Sequence, residues 1–152
     1  DASGSLLDIG CDTPEISSRM FPPAVTYIGL EPSLSRSEQF CICGMAEFLP
    51  FRDASFDNVA LMTSLDHILD ASQAMEEAFR VLRPGGSLYL ASLVWVSNAS
   101  LIKDTVHFHH FREWELQGLL RDFAIEAVHR YSWKGDLHRY GVYIKATKPS
   151  SV

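Results

Sequence analysis

The chain contains the stretch Leu6-Leu7-Asp8-Ile9-Gly10-Cys11-Asp12-Thr13-Pro14, in which an apolar segment runs directly into a turn with a glycine. A second apolar segment, Tyr27-Ile28-Gly29-Leu30-Glu31, ends in a single acidic residue about twenty positions after that turn. This spacing is typical of a nucleotide-binding βαβ unit, in which the acid accepts hydrogen bonds from ribose hydroxyls. The two segments therefore predict an α/β fold that begins with two parallel strands.

The bulk composition indicates one ordinary globular domain. The 152 residues are 47% hydrophobic and 21% charged, and this length is sufficient to bury a sizeable core. The net charge is −6 and no basic run occurs, so we expect no nucleic-acid partner. We expect the domain to occupy residues 1–148, with a tail over residues 149–152. The first predicted strand lies almost at residue 1, which leaves open a naturally short protein or one that has lost a preceding segment.

The cysteines and the apolar runs bear on the compartment. Cys11, Cys41 and Cys43 are odd in number, and Cys41 and Cys43 are too close for an ordinary structural zinc pair. We therefore expect buried, reduced thiols, which are typical of a cytoplasmic protein. The sequence has no apolar run long enough to span a bilayer, so we expect no membrane association.

Apolar runs that are separated by glycines, prolines and helical patterns predict alternating strands and helices. Strands are expected over residues 5–10, 25–31, 40–45, 57–63, 87–94, 124–133 and 138–147. Helices are expected over residues 14–20, 33–39, 71–83 and 112–122. This alternation implies a doubly wound, mostly parallel seven-stranded sheet with helices on both faces. The last two strands have no helix between them, so they should form an antiparallel hairpin.

Four blocks follow one another in the sequence. They are Leu7-Asp8-Ile9-Gly10-Cys11, Ile28-Gly29-Leu30-Glu31-Pro32-Ser33, Ala46-Glu47-Phe48-Leu49-Pro50-Phe51 with Ser55-Phe56-Asp57, and Glu77-Ala78-Phe79-Arg80-Val81-Leu82-Arg83-Pro84-Gly85-Gly86. In this order, and with the terminal hairpin, they resemble class I S-adenosylmethionine-dependent methyltransferases, particularly the type 11 group. The resemblance covers residues 5–148. It implies a Rossmann-like methyltransferase domain that uses S-adenosylmethionine and releases S-adenosylhomocysteine.

The resemblance implies which residues bind the cofactor, at the carboxyl ends of the parallel strands. Asp8, Gly10 and Cys11 would flank its methionine part, where backbone N–H groups approach the ligand closely. Glu31, followed by Pro32, would accept both ribose hydroxyls, because one carboxylate can accept two donors. The alternative for Glu31 is a solvated acid at a strand end.

Further contacts are implied after the third and fourth strands. Met45, Ala46 and Glu47 would lie beside the adenine. Thr63 would border the sulfonium end, and His67 follows it. His67 is the candidate general base, although a packing role or a role at a helix start is the alternative.

The turn after the first strand departs from the family pattern, so its glycine motif is degenerate. Asp12 and Pro14 stand where the family has glycines, and Met45 stands where the family commonly has an Asp that binds the adenine amino group. The Asp12 carboxylate would either crowd and repel the cofactor carboxylate or pair with its ammonium group. Residues 12–15 also form a good helix start, with a capping side chain and an early proline. These three departures suggest weak, altered or absent cofactor binding.

A histidine-rich segment precedes the last predicted helix. His107, His109 and His110 have no neighbouring carboxylate or cysteine that completes a ligand set, so we expect no metal site. The family that the chain resembles often has a histidine-rich or aromatic segment before this helix, so the resemblance implies that three aromatic residues of the segment contact the methyl acceptor. They are Phe108, Phe111 and Trp114.

Two functions follow from these patterns. The first is an S-adenosylmethionine-dependent methyltransferase that acts on a small molecule. The second is a non-catalytic methyltransferase-like binding module with weak or lost cofactor binding. The sequence has no counterpart of the family's N-terminal helices, so we expect an open pocket whose lid comes from a partner chain, a second copy or further residues.

Overall fold

A seven-stranded sheet forms the centre of the computed structural model, which describes residues 2–33, 40–96, 105–132 and 135–150. The strands are β1 Gly4–Ile9, β2 Val25–Leu30, β3 Cys41–Ile42, β4 Phe56–Met62, β5 Leu82–Trp95, β6 Ala124–Ser132 and β7 Arg139–Thr147. The α-helices are α1 Pro14–Ser17, α2 Ala71–Val81 and α3 Glu113–Leu119. Short 3-10 helices cover Ser18–Met20, Ala46–Phe48 and Leu65–His67.

The strand order is β3-β2-β1-β4-β5-β7-β6. The first five strands are parallel, and β7 is antiparallel to both β5 and β6. The predicted doubly wound sheet with a C-terminal antiparallel hairpin is therefore confirmed. The chain runs outward from β1 to β3 and then returns to β4 on the other side of β1. This reversal opens a crevice at the carboxyl ends of β1 and β4, where ligands bind in such sheets.

The core lies on both sides of the central strands. Leu6, Leu7, Val59 and Leu61 are fully buried, as expected for parallel strands with both faces covered. Helix α2 packs on this sheet with its small and apolar residues inward: Ala71, Ala74, Met75, Ala78 and Val81. Burial of each large apolar side chain contributes about 1.5–3 kcal/mol, so this core holds the strand ends in fixed positions.

Helix α2 begins as predicted and ends two residues early. The Asp70 carboxylate accepts a 3.0 Å hydrogen bond from the amide of Gln73, which is an N-cap contact. The helix was expected to reach residue 83, but Leu82 is already extended and pairs with Phe56. Strand β5 therefore begins at Leu82 instead of residue 87, because long-range pairing overrides the local helical pattern.

Other element ends also differ from the prediction. Strand β3 is only two residues long, and α3 is shorter at both ends than the range 112–122. The expected helix over residues 14–20 consists of α1 and a following 3-10 helix, and its N-cap Thr13 makes no side-chain capping bond. Residues 34–39 of another expected helix lie outside the described residues, as does residue 133 of the sixth expected strand. Among the helices that are described, none is long and apolar enough to cross a membrane.

Candidate functional site

A cleft of about 680 Å³ opens at the carboxyl ends of β1, β2 and β4. Its volume lies within the usual range of small-molecule and cofactor sites. Most of the residues that the sequence singled out line it: Gly10, Cys11, Asp12, Glu31, Pro32, Met45, Ala46, Glu47, Thr63 and His67. The fold thus gathers these residues from four separate segments into one site.

Gly10 shapes the floor of the cleft. Its φ is +74°, in the left-handed region, and a Cβ at this position would lie 2.4 Å from Cβ of Ser64. Ser64 is held in place because its hydroxyl donates a 2.6 Å hydrogen bond to the carbonyl of Ile9. Only glycine satisfies both the backbone angle and this close approach.

The turn after β1 is fixed to the end of β2. The amides of Gly10 and Cys11 donate to the carbonyl of Leu30 at 2.8 and 3.3 Å. Asp12 has a φ of +52°, so the turn keeps a backbone conformation that favours glycine although Asp occupies it. Short polar residues such as Asp tolerate this region best among non-glycine residues. Asp at position 12 therefore adds a side chain to the turn, but the backbone still adopts the left-handed conformation that a glycine would allow.

Glu31 is a buried carboxylate with two backbone donors. Its Oε2 accepts a 3.0 Å hydrogen bond from the amide of Asp12, and its Oε1 accepts one of 3.0 Å from the amide of Ser33. Only 9% of Glu31 is exposed, which is not the environment of a solvated acid at a strand end. Each oxygen keeps a further lone pair, so the group can still accept hydroxyl donors from a ligand.

Among the predicted cofactor contacts, Asp8 lies outside the residues that line the cleft. Because side chains alternate along a strand, Asp8 shares a face with Leu6 and turns away from the cleft. Its Oδ2 accepts a 2.8 Å hydrogen bond from the hydroxyl of Tyr27. Burial raises the pKa of Asp8 from 3.8 to about 6, and the Tyr27 hydrogen bond partly opposes this shift. The same burial and the nearby Asp8 charge raise the pKa of Tyr27.

Two of the three cysteines form a buried pair beneath the turn. The sulfur atoms of Cys11 and Cys41 are 3.3 Å apart, and neither cysteine is in a disulfide bond. A Cβ on Gly29 would lie 2.6 Å from the sulfur of Cys11, so the absence of a side chain there lets the two thiols meet. Burial raises the pKa of the Cys11 thiol. The expectation of three buried thiols is wrong for Cys43, which is exposed because β3 ends at Ile42.

The wall after β3 combines an exposed Met45 with buried Ala46 and Glu47. Oε1 of Glu47 accepts a 3.2 Å hydrogen bond from the amide of Asp70, at the start of α2. Glu47 therefore ties this wall to α2. Met45 offers an apolar, polarizable side chain to a flat ligand.

Thr63, at the end of β4, has a φ of +62°. This angle is unusual for a β-branched residue and is costly, and such strain concentrates at functional sites. The amide of Thr63 donates to the carbonyl of Ala91 at 2.9 Å, and its hydroxyl donates to the carbonyl of Met62 at 2.6 Å. These bonds hold the backbone beside the cleft in its strained conformation.

Exposed apolar side chains line the mouth of the cleft. They are Met20, Met45, Leu69 and Phe108. His67 lies among them with a side chain that is 42% exposed. The aromatic segment after β5 is divided, since Phe108 borders this cleft whereas Phe111 and Trp114 line a second groove between α2 and α3.

A profile of the methyltransferase domain matches residues 7–90, which is more than half of the chain. The chain belongs to this family of class I S-adenosylmethionine-dependent methyltransferases. The O-methyltransferase cnsE of Penicillium expansum is 34% identical over 104 residues, which cover 59% of this chain and 38% of that protein. The O-methyltransferase resE of Aspergillus sclerotiorum is 31% identical over 149 residues, with coverages of 84% and 56%. The chain thus spans about half or less of the length of these relatives.

Solved structures show the same fold. A SAM-dependent methyltransferase from Methanosarcina mazei has a TM-score of 0.79 at 23% identity and covers 97% of this chain and 93% of that chain. The cyclase SpnF has a TM-score of 0.82 at 20% identity, with coverages of 99% and 76%. At these identities the likeness shows the fold alone, because one fold hosts several activities.

Several lining residues had no sequence signal that singled them out: Ser17, Met20, Met62, Ser64, Ile68 and Leu69. The position of Ser64, directly after a predicted strand end, is a signal that could have found it. Met20 and Leu69 reach the mouth only because separate loops fold together, and no local pattern marks them.

Proposed function

We propose that the protein transfers a methyl group from S-adenosylmethionine to a small-molecule acceptor. The observation that carries this proposal is the buried Glu31 carboxylate, which the amides of Asp12 and Ser33 hold at the carboxyl end of β2. It stands beside the Gly10 turn and within one cleft of cofactor size. A buried carboxylate with free lone pairs is the group that would recognise two ribose hydroxyls.

The residues of the cleft fit the cofactor from end to end. The turn at Gly10 and Cys11 offers close backbone approach for the methionine part. The exposed Asp12 carboxylate would form an ion pair with the ammonium group of the cofactor. If the ammonium group lies nearer to Asp12 than the cofactor carboxylate does, this attraction is larger than the repulsion between the two carboxylates. Met45 and Ala46 would pack against the adenine ring, and this apolar contact would take the place of a hydrogen bond to the adenine amino group.

The chemistry of transfer comes mainly from the cofactor. S-adenosylmethionine supplies an electrophilic methyl carbon, to which an acceptor nucleophile bonds as the carbon–sulfur bond breaks and leaves S-adenosylhomocysteine. The protein aligns the reactants and excludes water. A base is needed only for an acceptor that is not already ionised, and His67 is the candidate because it lines the cleft four residues after Thr63.

The acceptor is an apolar small molecule with a hydroxyl group. The exposed rim of Met20, Leu69 and Phe108 favours an apolar or aromatic body. Relatives named as O-methyltransferases support an oxygen acceptor. The net charge of −6 opposes a nucleic-acid acceptor. The same rim would be covered by a lid from a partner chain, a second copy or further residues.

A binding module without chemistry is the second candidate. The Asp12 carboxylate and the apolar Met45 favour it, because both change contacts that the family commonly makes with the cofactor. The two functions differ in whether product forms, so a direct assay separates them.

The test incubates the protein with S-adenosylmethionine and a panel of phenols and aliphatic alcohols. Formation of S-adenosylhomocysteine and of a methylated acceptor is followed by mass spectrometry. We expect both products with at least one phenol, and their loss in Glu31→Gln. Cofactor binding without any product across the panel would favour the module, and absence of binding would contradict the cofactor proposal.

A further inference from the structure

Three polar side chains converge beside the cleft, and the cofactor contacts do not use them as a group. One ligating atom from each of Asp66, His67 and His107 lies within 4.8 Å of the other two. Nε2 of His107 is 3.7 Å from Oδ2 of Asp66, and Nε2 of His67 is 4.0 Å from Oδ1 of Asp66. His67 also lines the cleft, so this triad adjoins it.

The backbone brings the triad together. Asp66 and His67 belong to the 3-10 helix Leu65–His67, whereas His107 lies in the loop before α3. The carbonyl of Asp66 accepts hydrogen bonds from the amides of Phe108 and His109 at 2.9 and 3.1 Å. These bonds attach the loop to the backbone of Asp66 at the two residues that follow His107. The closeness of His107 to Asp66 is therefore set by the backbone as well as by side-chain rotamers.

The contact between His67 and a backbone carbonyl indicates which of its two ring nitrogens points to Asp66. Its Nδ1 lies 3.3 Å from the carbonyl oxygen of Val106. A carbonyl oxygen only accepts, so Nδ1 carries the hydrogen, and an unprotonated Nε2 would present its lone pair toward Asp66. Histidines that bind metals commonly donate their other ring N–H to a backbone carbonyl in this way. Two electron-rich atoms that face each other are stabilised by a cation between them.

We propose that Asp66, His67 and His107 form a binding site for one divalent first-row transition metal ion of the zinc class. Two imidazoles and one carboxylate suit zinc, cobalt or iron, whereas magnesium and calcium prefer oxygen donors alone. Bonds of about 2.0–2.2 Å would draw the ligating atoms to roughly 3.0–3.5 Å from one another, so small side-chain rotations suffice. The proposal stands independently of methyl transfer.

A metal at this site would overturn the expectation that the histidine-rich segment binds no metal. The carboxylate of this triad is that of Asp66, which lies in the 3-10 helix after β4, far from His107 in the sequence. The neighbouring histidines have other contacts: Nε2 of His109 is 2.8 Å from the carbonyl oxygen of Ile68, and the ring of His110 packs edge-on against Trp95. A metal on Nε2 of His67 would also prevent that nitrogen from acting as a base.

The test uses the untagged full chain after treatment with a chelator. Calorimetric titration with zinc chloride should show one ion per chain with a dissociation constant of about 1 µM or less. Cobalt chloride should give visible absorption bands that saturate at the same ratio, and magnesium chloride should give no heat. We expect His107→Gln and Asp66→Asn to weaken zinc binding at least about tenfold. His129→Gln, which removes an exposed histidine on β6, should leave it unchanged.

Two outcomes would overturn the proposal. One is no saturable zinc binding at about millimolar concentration, which corresponds to roughly −4 kcal/mol or weaker. The other is equal zinc affinity in wild type and His107→Gln, which would mean adventitious binding elsewhere. If the buried Asp66→Asn fails to fold by circular dichroism, the partly exposed His107→Gln decides the question.

Discussion

The amide of Asp12 donates a 3.0 Å hydrogen bond to Oε2 of Glu31, which joins the turn after β1 to the end of β2. Both residues line the same cleft. The carboxylate that would bind ribose is therefore oriented by the turn that would bind the methionine part. A change in either residue should affect ligand binding through the other.

Glu31→Gln should weaken the binding of S-adenosylhomocysteine at least tenfold. In the wild type, each carboxylate oxygen of Glu31 accepts a hydrogen bond from a backbone amide. The glutamine side chain has an NH₂ group in place of one of these oxygens, so it loses an acceptor for both the backbone and the ligand. Hydrogen bonds to charged groups contribute about 1.5–3 kcal/mol, which supports a loss of this size. Calorimetry measures the change. Glu15→Gln, an exposed acid in α1, is the matched control, and equal losses in both variants would remove Glu31 from the ribose site.

Asp12→Gly and Asp12→Ala should differ in stability. At a φ of +52°, glycine is unstrained whereas alanine is not, so Asp12→Ala should be about 1 kcal/mol less stable than Asp12→Gly. This difference corresponds to about 3 °C in melting temperature for a domain of this size. Differential scanning calorimetry tests the order. An alanine variant that melts at or above the glycine variant would show that the turn does not adopt this conformation.

Gly10→Ala should destabilise the protein by about 1–3 kcal/mol and abolish ligand binding. The added Cβ would overlap Ser64, and the backbone angle already disfavours a side chain. Gly118→Ala is the control, because nothing lies within 4 Å of its added Cβ and it sits inside α3. That variant should gain roughly 0.5–1 kcal/mol, since alanine favours helices over glycine. Urea unfolding measures both, and a neutral Gly10→Ala would contradict the close approach to Ser64.

Sequence patterns predicted the strands and the sheet edge at which the cleft opens, because apolar runs bounded by glycine or proline are local signals. The end of α2 at Val81 was missed since Leu82 pairs with Phe56 across the sheet. Strand alternation places the Asp8 side chain opposite that of Ile9, and its contact with the cofactor stays a prediction. The meeting of Asp66 with His107 depends on tertiary contacts, and no local pattern encodes it.

The contribution of Asp8 to the stability of the wild type should fall as pH rises from about 4 to 6. Burial raises the pKa of Asp8 from 3.8 to about 6, so the folded state binds more protons than the unfolded state across this window. Ionisation of the buried Asp8 then costs stability. The pKa shift corresponds to about 3 kcal/mol in the free energy of unfolding, and this stabilisation is lost as the pH rises through the pKa of the folded state.

Asp8→Asn isolates this effect from the other acids. Its amide oxygen can still accept from the Tyr27 hydroxyl, and it carries no charge at any pH. The stability of Asp8→Asn relative to wild type should therefore increase between pH 4 and pH 7 by about 3 kcal/mol. Chemical unfolding at a series of pH values gives this difference directly. A difference that stays constant with pH would show that Asp8 titrates normally in the folded protein.

Calorimetric titration of the wild-type protein with S-adenosylhomocysteine tests the proposed cofactor site most directly. One ligand per chain with a dissociation constant near 1 µM, roughly −8 kcal/mol, is the predicted result. The absence of both heat and a thermal shift at about millimolar ligand, weaker than roughly −4 kcal/mol, would contradict it.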